Sequence, residues 1–317
     1  MIVGGAGFIG SHFTDYLLAD PLTERVTLYD NFSSGREWHF AHHAGDARLA
    51  VVRAEVGDLE ALTTHMAGHG VVIHLASNPD IARAAVEPQI DFRQGTELTN
   101  NVLEAMRRSG AQRILYASGS GVYGDLGERE ATEDFGPLAP ISTYGASKLA
   151  GEALIRAYAH MFGLSGRAFR FGNVVGPRQT HGVGFDFVRR LAADPTRLTI
   201  LGDGSQSKSY VYVKDVVAAV MHAHLRAEGP FEVFNVATGD YITVTEIAEL
   251  AAEALGLKTP PVFAYAGGDR GWKGDVPVVR INTDRMTALG WRSPRGSREA
   301  LRLSLNDLLA DVRLGRL

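Results

Sequence analysis

The chain of 317 residues contains no cysteine. That excludes disulfides, a thiolate nucleophile and any cysteine-ligated metal or cluster. Positive charge is not in excess either. Lys and Arg number 32 against 36 Asp and Glu, a formal net charge of -4, so no nucleic-acid partner and no membrane-binding basic patch is expected. No apolar run reaches the ~20 residues of a membrane span. Glycines interrupt the first apolar residues, so no leader is expected and the cytoplasm is the expected location. The 11 histidines include no His-Glu-x-x-His or His-x-x-Glu-His spacing; His42 and His43 read as loop residues, and no metal site is expected. What remains is an ordinary globular composition, 45% hydrophobic and 21% charged, on a chain long enough to bury a full core.

Two kinds of segment alternate through the first half. Short β-branched runs ("VTLYD", "LAVV", "VVIHLA", "RILYAS", "RAFRFGNVV") are followed by stretches with helical spacing ("FIGSHFTDYLLAD", "TELTNNVLEAMRRSG", "GASKLAGEALIRAYAHMFG"). Strand then helix, repeated, implies an α/β fold: a doubly wound parallel sheet with helices on both faces. After about Gly176 the rhythm changes to Gly- and Pro-rich mixed segments, with helices expected over 185–193, 213–227 and 244–255. A first domain over residues 1–175 is therefore expected. A smaller, irregular region over 176–317 follows, with some segments packing back on the first.

The opening "GGAGFIG" spaces Gly4, Gly7 and Gly10 three apart, directly before a helical pattern. Glycines let the backbone approach a pyrophosphate, and the helix offers its first N–H groups and positive dipole end. "VTLYDN" reads as the second strand. It ends on Asp30, about 20 residues on, where a carboxylate accepts hydrogen bonds from an adenosine ribose. A carboxylate there repels a 2′-phosphate, so NAD is expected rather than NADP. "VGDLE" supplies Asp58 for the adenine amine, and "IHLAS" ends a strand in small residues that leave room for a cofactor.

"STYGASKLAGEAL" places Tyr144 and Lys148 four residues apart, on one helix face. A phenol of ordinary pKa ~10 is a poor base at neutral pH. A nearby ammonium and a positive nicotinamide ring lower that pKa, and the phenolate then takes a proton from a sugar hydroxyl as hydride leaves the same carbon.

With these residues in place the chain resembles the extended short-chain dehydrogenase/reductases, specifically the nucleotide-sugar epimerase/dehydratase family with its Rossmann-type fold. "GGAGFIGSH", "YDN", "GDL", "HLA", "VYGD", "YGASK", "GDGSQSKSYVYVKDVVAA", "FNVATGDYITVTEIA" and "DVPVVRINTDRMTALGW" fall in the family's order almost end to end. The resemblance implies tightly held NAD, oxidation of a sugar at C4, a UDP-sugar substrate and a homodimer built on the helices near 95–108 and 147–161. It adds Phe8, Ile9, Asn31, Ser34, Gly35, Leu59, Leu75, Ala76 and Ser77 to the cofactor site. For the substrate it implies Asn173, Arg178, Thr199, Lys208 and Arg270. Lys208 stands where the family usually has an arginine, keeping the charge but losing the bidentate fork.

In relatives the hydroxyl that bonds the sugar O4 lies four residues before the tyrosine of "VYG". Here that position is Gly119, flanked by Ser118 and Ser120. Ser120 is the first choice to replace it and Ser118 the second. The same stretch bears on the reaction. Family dehydratases carry Asp-Glu just before "VYG", and decarboxylases carry Glu where Gly121 stands; this chain has Ser120 and Gly121. The expected reaction is 4-epimerisation; the alternatives are UDP-glucuronate decarboxylation or another nucleotide-sugar modification of the family, and a non-catalytic dinucleotide sensor. Between neutral hexose and uronate the sequence leans to the hexose, because Thr180 stands where some uronate enzymes place a second arginine.

Overall fold

The computed structural model describes residues 1–78 and 81–316. The chain forms two compact units, each assembled from three segments. The first comprises Met1–Val122, Ser142–Arg170 and Val220–Phe234; the second comprises Tyr123–Ile141, Phe171–Ala219 and Asn235–Leu317.

A seven-stranded sheet dominates the first unit. Its strands are β1 (Ile2–Val3), β2 (Val26–Asp30), β3 (Leu49–Arg53), β4 (Val71–His74), β5 (Arg113–Gly119), β6 (Ser165–Phe171) and β7 (Phe231–Val236), in the order β7-β6-β5-β4-β1-β2-β3. β1 pairs in parallel with both β2 and β4, β2 with β3, and β4 with β5. Helices α1 (Phe8–Ala19), α2 (Leu59–Met66), α3 (Leu98–Ser109) and α4 (Thr143–Phe162) complete a Rossmann-type α/β fold. Every residue of β2 is buried, as a central parallel strand covered on both faces requires. β3 lies at the edge, and its Val51 is exposed despite the apolar run. Val3, Tyr29, Leu62, Val72, Leu103, Met106, Ile114 and Ile155 form the core beneath the sheet.

β1 is only two residues long. The amides of Leu75 and Ala76 both donate to the Val3 carbonyl, at 2.8 and 3.0 Å, and tie its end to the end of β4. α4 is bounded as its sequence dictates. The Ser142 hydroxyl caps the N-terminus by accepting from the Gly145 amide, and Gly163 ends the helix in the left-handed region at φ 70°.

The second unit has its own core, built from residues such as Phe187, Leu191, Ile200, Tyr210, Ile247, Leu301 and Leu305. Its helices include α5 (Val183–Ala193), α7 (Val244–Ala254) and α8 (Ser297–Arg313); α6 (Val213–Arg226) runs between α5 and α7 in the chain. The run "RAFRFGNVV" is not one strand. It breaks at Gly172, after which residues Asn173–Val175 pair in parallel with Tyr210–Tyr212 in a separate two-stranded sheet.

Candidate functional site

The glycine turn lies in the first unit, after β1. Gly4 has φ +81°, and a Cβ there would lie 2.6 Å from the Ala76 nitrogen. A Cβ on Gly10 would lie 2.7 Å from the Gly4 oxygen and the Gly5 Cα. Only glycine fits either place without moving the turn. Gly7 is the N-cap of α1 and makes no side-chain capping bond. The first amides of the helix, those of Phe8, Ile9 and Gly10, therefore lack a cap and suit a phosphate group. Asp30 closes β2 beside the turn. Its Oδ2 accepts from the Ala6 amide at 2.9 Å and its Oδ1 from the Phe32 amide at 2.7 Å. Burial pushes its carboxyl pKa up, and those two amide bonds oppose the shift. A cradle that a Cβ would fill, an uncapped helix start and a fixed carboxylate together fit a dinucleotide.

The residues flanking this cradle have local partners. Asn31 donates to the Glu55 carboxylate and accepts from the Ser33 amide. Ser34 is half-buried, and Gly35 packs on Ala6 so closely that a Cβ would lie 2.8 Å from its Cβ. Asp58 is the N-cap of α2, accepting from the Ala61 amide at 3.0 Å, so one of its oxygens already serves the helix. Leu59 packs against the core.

Tyr144 and Lys148 sit on the first turns of α4. The Lys148 ammonium lies 5.5 Å from the Tyr144 ring centre and donates to the Ala117 carbonyl at 2.8 Å. Lys148 is 3% exposed, and burial lowers its pKa to about 8 against the attraction of Asp91 and Glu152. The Tyr144 phenol shifts the other way from the sequence expectation. Burial raises its pKa, Asp91 adds to the rise, and a hydrogen bond with Ser77 opposes it. The lowering expected from a nicotinamide ring has to overcome this burial.

Sequence reading missed the groups that brace this pair. Asp91 accepts from Asn78 at 2.9 Å and from the Thr143 hydroxyl at 2.6 Å. It thus holds the chain neighbours of Ser77 and Tyr144, the two residues bonded to each other. Ser118 donates to Glu152 Oε1 at 2.5 Å, and Glu152 pairs with Arg170 at 2.7 Å, all three nearly fully buried. The Ser118 hydroxyl is therefore committed to a carboxylate. Ser120 opens the 3-10 turn Ser120–Tyr123 and is half-buried. Glu152 had a readable signal, four residues after Lys148 on the same helix; Asp91 had none. His74, 0% exposed, bonds Thr99 and is kept neutral, its pKa lowered to about 3 by burial and Lys148.

In the second unit the two cations expected to grip phosphate both reach Asp275, one at its carboxylate and the other at its backbone carbonyl. Lys208 meets Asp275 Oδ1 at 2.6 Å, and Arg270 donates to the Asp275 carbonyl and to Asp125 Oδ2, the latter at 2.6 Å. Asp275 Oδ2 also accepts from the Gly271 amide. Asn173 is exposed on its short strand. Arg178 is held in the left-handed region, φ 66°, with its amide bonded to Asp311. Thr199 is exposed on a strand pairing with Val262–Tyr265.

Against known proteins, residues 1–237 match the family model described as the NAD dependent epimerase/dehydratase family. The UDP-glucose 4-epimerase of Mycolicibacterium smegmatis is 33% identical over 300 residues, covering 92% of each chain. A solved UDP-galactose 4-epimerase is 36% identical with a TM-score of 0.87 over 98% of each chain. MoeE5, solved with UDP-glucuronic acid and NAD, is 28% identical with a TM-score of 0.85 over 98% of each chain.

Proposed function

The chain belongs to the NAD dependent epimerase/dehydratase family, and from that premise we propose that it is a UDP-sugar 4-epimerase working as a cytoplasmic homodimer. NAD is its cofactor, supplying a reversible hydride acceptor when bound. Gly4, Gly7 and the first turn of α1 hold the pyrophosphate in this reading. Asp30 takes the adenosine ribose, and Lys148 with Ser77 takes the nicotinamide end. Tyr144 removes and returns the proton on the sugar C4 hydroxyl, Lys148 stabilises the phenolate, and Ser120 bonds O4. Lys208 and Arg270 exchange Asp275 and Asp125 for the diphosphate. Asn173 contacts the substrate near its diphosphate, Thr199 lies along the nucleobase, and Arg178 is the cation that meets an acidic group on the sugar.

One observation carries the choice of reaction. The turn Ser120–Tyr123 follows β5 without a carboxylic acid, while Tyr144 and Lys148 stand together on α4. Elimination of water needs an acid to protonate the leaving hydroxyl, and decarboxylation lacks the expected helper at Gly121. Oxidation at C4 and reversal on the opposite face require neither. A neutral hexose is the favoured substrate; the UDP-glucuronic acid bound by MoeE5 makes the uronate the competing one. The exposed Phe92, Met161 and Phe162, at or near α3 and α4, support the dimer.

Proton NMR of the purified protein with UDP-glucose and, separately, UDP-glucuronate, without added cofactor, tests this. A new anomeric signal of the galacto product in either tube is expected, faster with UDP-glucose. Release of a UDP-pentose would replace the reading with decarboxylation. No change in either tube after NAD is added would favour a dinucleotide sensor.

A further inference from the structure

We propose that Asp15, His42 and His43, none of them among the residues assigned above to cofactor or sugar, form a binding site for one divalent transition-metal ion of the zinc class. Asp15 lies on α1, and the two histidines end the 3-10 turn Ala41–His43. Consecutive side chains normally diverge. Here both Nε2 atoms converge on a single oxygen, Asp15 Oδ1, each at 2.8 Å, with ring centres 4.1 Å apart. The three donor atoms lie within 4.8 Å of one another.

The donor set is two imidazole nitrogens and one carboxylate oxygen, which suits Zn2+, Ni2+ or Cu2+ rather than Mg2+ or Ca2+. Bonds of ~2.0–2.2 Å to one ion place neighbouring donors about 3–3.5 Å apart. The observed nitrogen-to-oxygen separations need to open by only a few tenths of an ångström. A single divalent ion engages all three groups at once. The His42 side chain is 49% exposed, so water can complete the coordination.

Such an ion would staple two elements 27 residues apart in the chain. The segment before the histidines leans on the glycine turn: the Arg36 amide donates to the Ala6 carbonyl at 3.1 Å, and His39 Nδ1 lies 2.8 Å from the same oxygen. The site therefore fastens the wall of the cofactor cradle to the helix that the cradle opens.

The test uses tag-free holoprotein, freed of metal by a chelator and titrated with Co2+, then with Zn2+ in competition. The expected result is one ion per chain with a cobalt d–d spectrum showing nitrogen ligation, and a melting temperature that rises with Zn2+. Asp15→Asn, His42→Ala and His43→Ala should each weaken binding at least ~10–100-fold, the cost of losing even an outer-shell group. His160→Ala, an exposed histidine on α4, should leave binding unchanged. Equal binding by wild type and a His42→Ala/His43→Ala double variant, or no saturable binding by the wild type, would overturn the proposal. Because Asp15 and His43 are partly buried, far-ultraviolet circular dichroism of each variant separates a lost site from a lost fold.

Discussion

Replacing Ser118 and replacing Ser120 should have opposite consequences. The Ser118 hydroxyl donates at 2.5 Å to Glu152, a carboxylate 5% exposed and also bonded by Arg170 at 3.0 and 2.7 Å. A hydrogen bond to a charged group contributes ~1.5–3 kcal/mol. Ser118→Ala keeps the Arg170 pair, so the loss stays near the lower end of that range, about 2 kcal/mol and several degrees of melting temperature. Turnover should change little. Ser120→Ala removes a hydroxyl for which no structural bond is evident, so stability should stay within ~0.5 kcal/mol. Its turnover should fall ~100-fold, equivalent to about 2.7 kcal/mol of barrier. A Cβ on Gly119 would meet nothing within 4 Å. Gly119→Ser should therefore be accommodated and restore turnover to the Ser120→Ala background. The assay is NMR turnover of UDP-glucose beside thermal unfolding of the same preparations. If Ser118→Ala abolished turnover without loss of stability, while Ser120→Ala did neither, the reasoning would be refuted.

Three other outcomes are expected. Arg170→Met leaves the buried Glu152 carboxylate with Ser118 as its hydrogen-bond donor and the more distant Lys148 ammonium, and urea unfolding should show a loss of ~3–5 kcal/mol, with part regained by adding Glu152→Leu. Gly10→Ala drives a Cβ against the Gly4 oxygen, so the protein should purify with much less bound NAD, measured after acid release, while remaining folded. His74 is neutral in the folded state with a pKa of about 3 against an ordinary 6.5, so the unfolded chain binds the proton first as pH falls. Stability should accordingly drop between pH 6.5 and 3, by up to about 5 kcal/mol at ~1.36 kcal/mol per unit. His74→Asn should flatten that part of the pH profile; an unchanged slope would show that His74 does not titrate this way.

Much of the architecture was legible because it depends on local periodicity. The apolar runs and helical stretches of the first half correspond to β2, β4 and β5 and to α1, α3 and α4. The expected helices at 185–193, 213–227 and 244–255 differ from α5, α6 and α7 by at most two residues at an end. Gly4 and Gly10 were legible for another reason: backbone approach and positive φ at Gly4 leave no other residue type possible. The four-residue interval likewise sufficed to place Tyr144 and Lys148 on one helix.

Other features were not local. "RAFRFGNVV" reads as one strand, and only its partners reveal that it breaks at Gly172 between two sheets. The direction of the Tyr144 shift depends on burial, which no motif states. Asp91 bonds residues 13 and 52 positions away, and His42 and His43 reach an aspartate 27 and 28 positions back. The sequence by itself determined the repeating strands and helices, the glycine cradle and the one-faced Tyr-Lys pair, because chain geometry and backbone sterics act over a few residues. Only the tertiary structure decided which hydroxyl is spent on Glu152, which acids confront Lys208 and Arg270, and which side chains lose water. Those outcomes depend on residues that folding brings together from far along the chain.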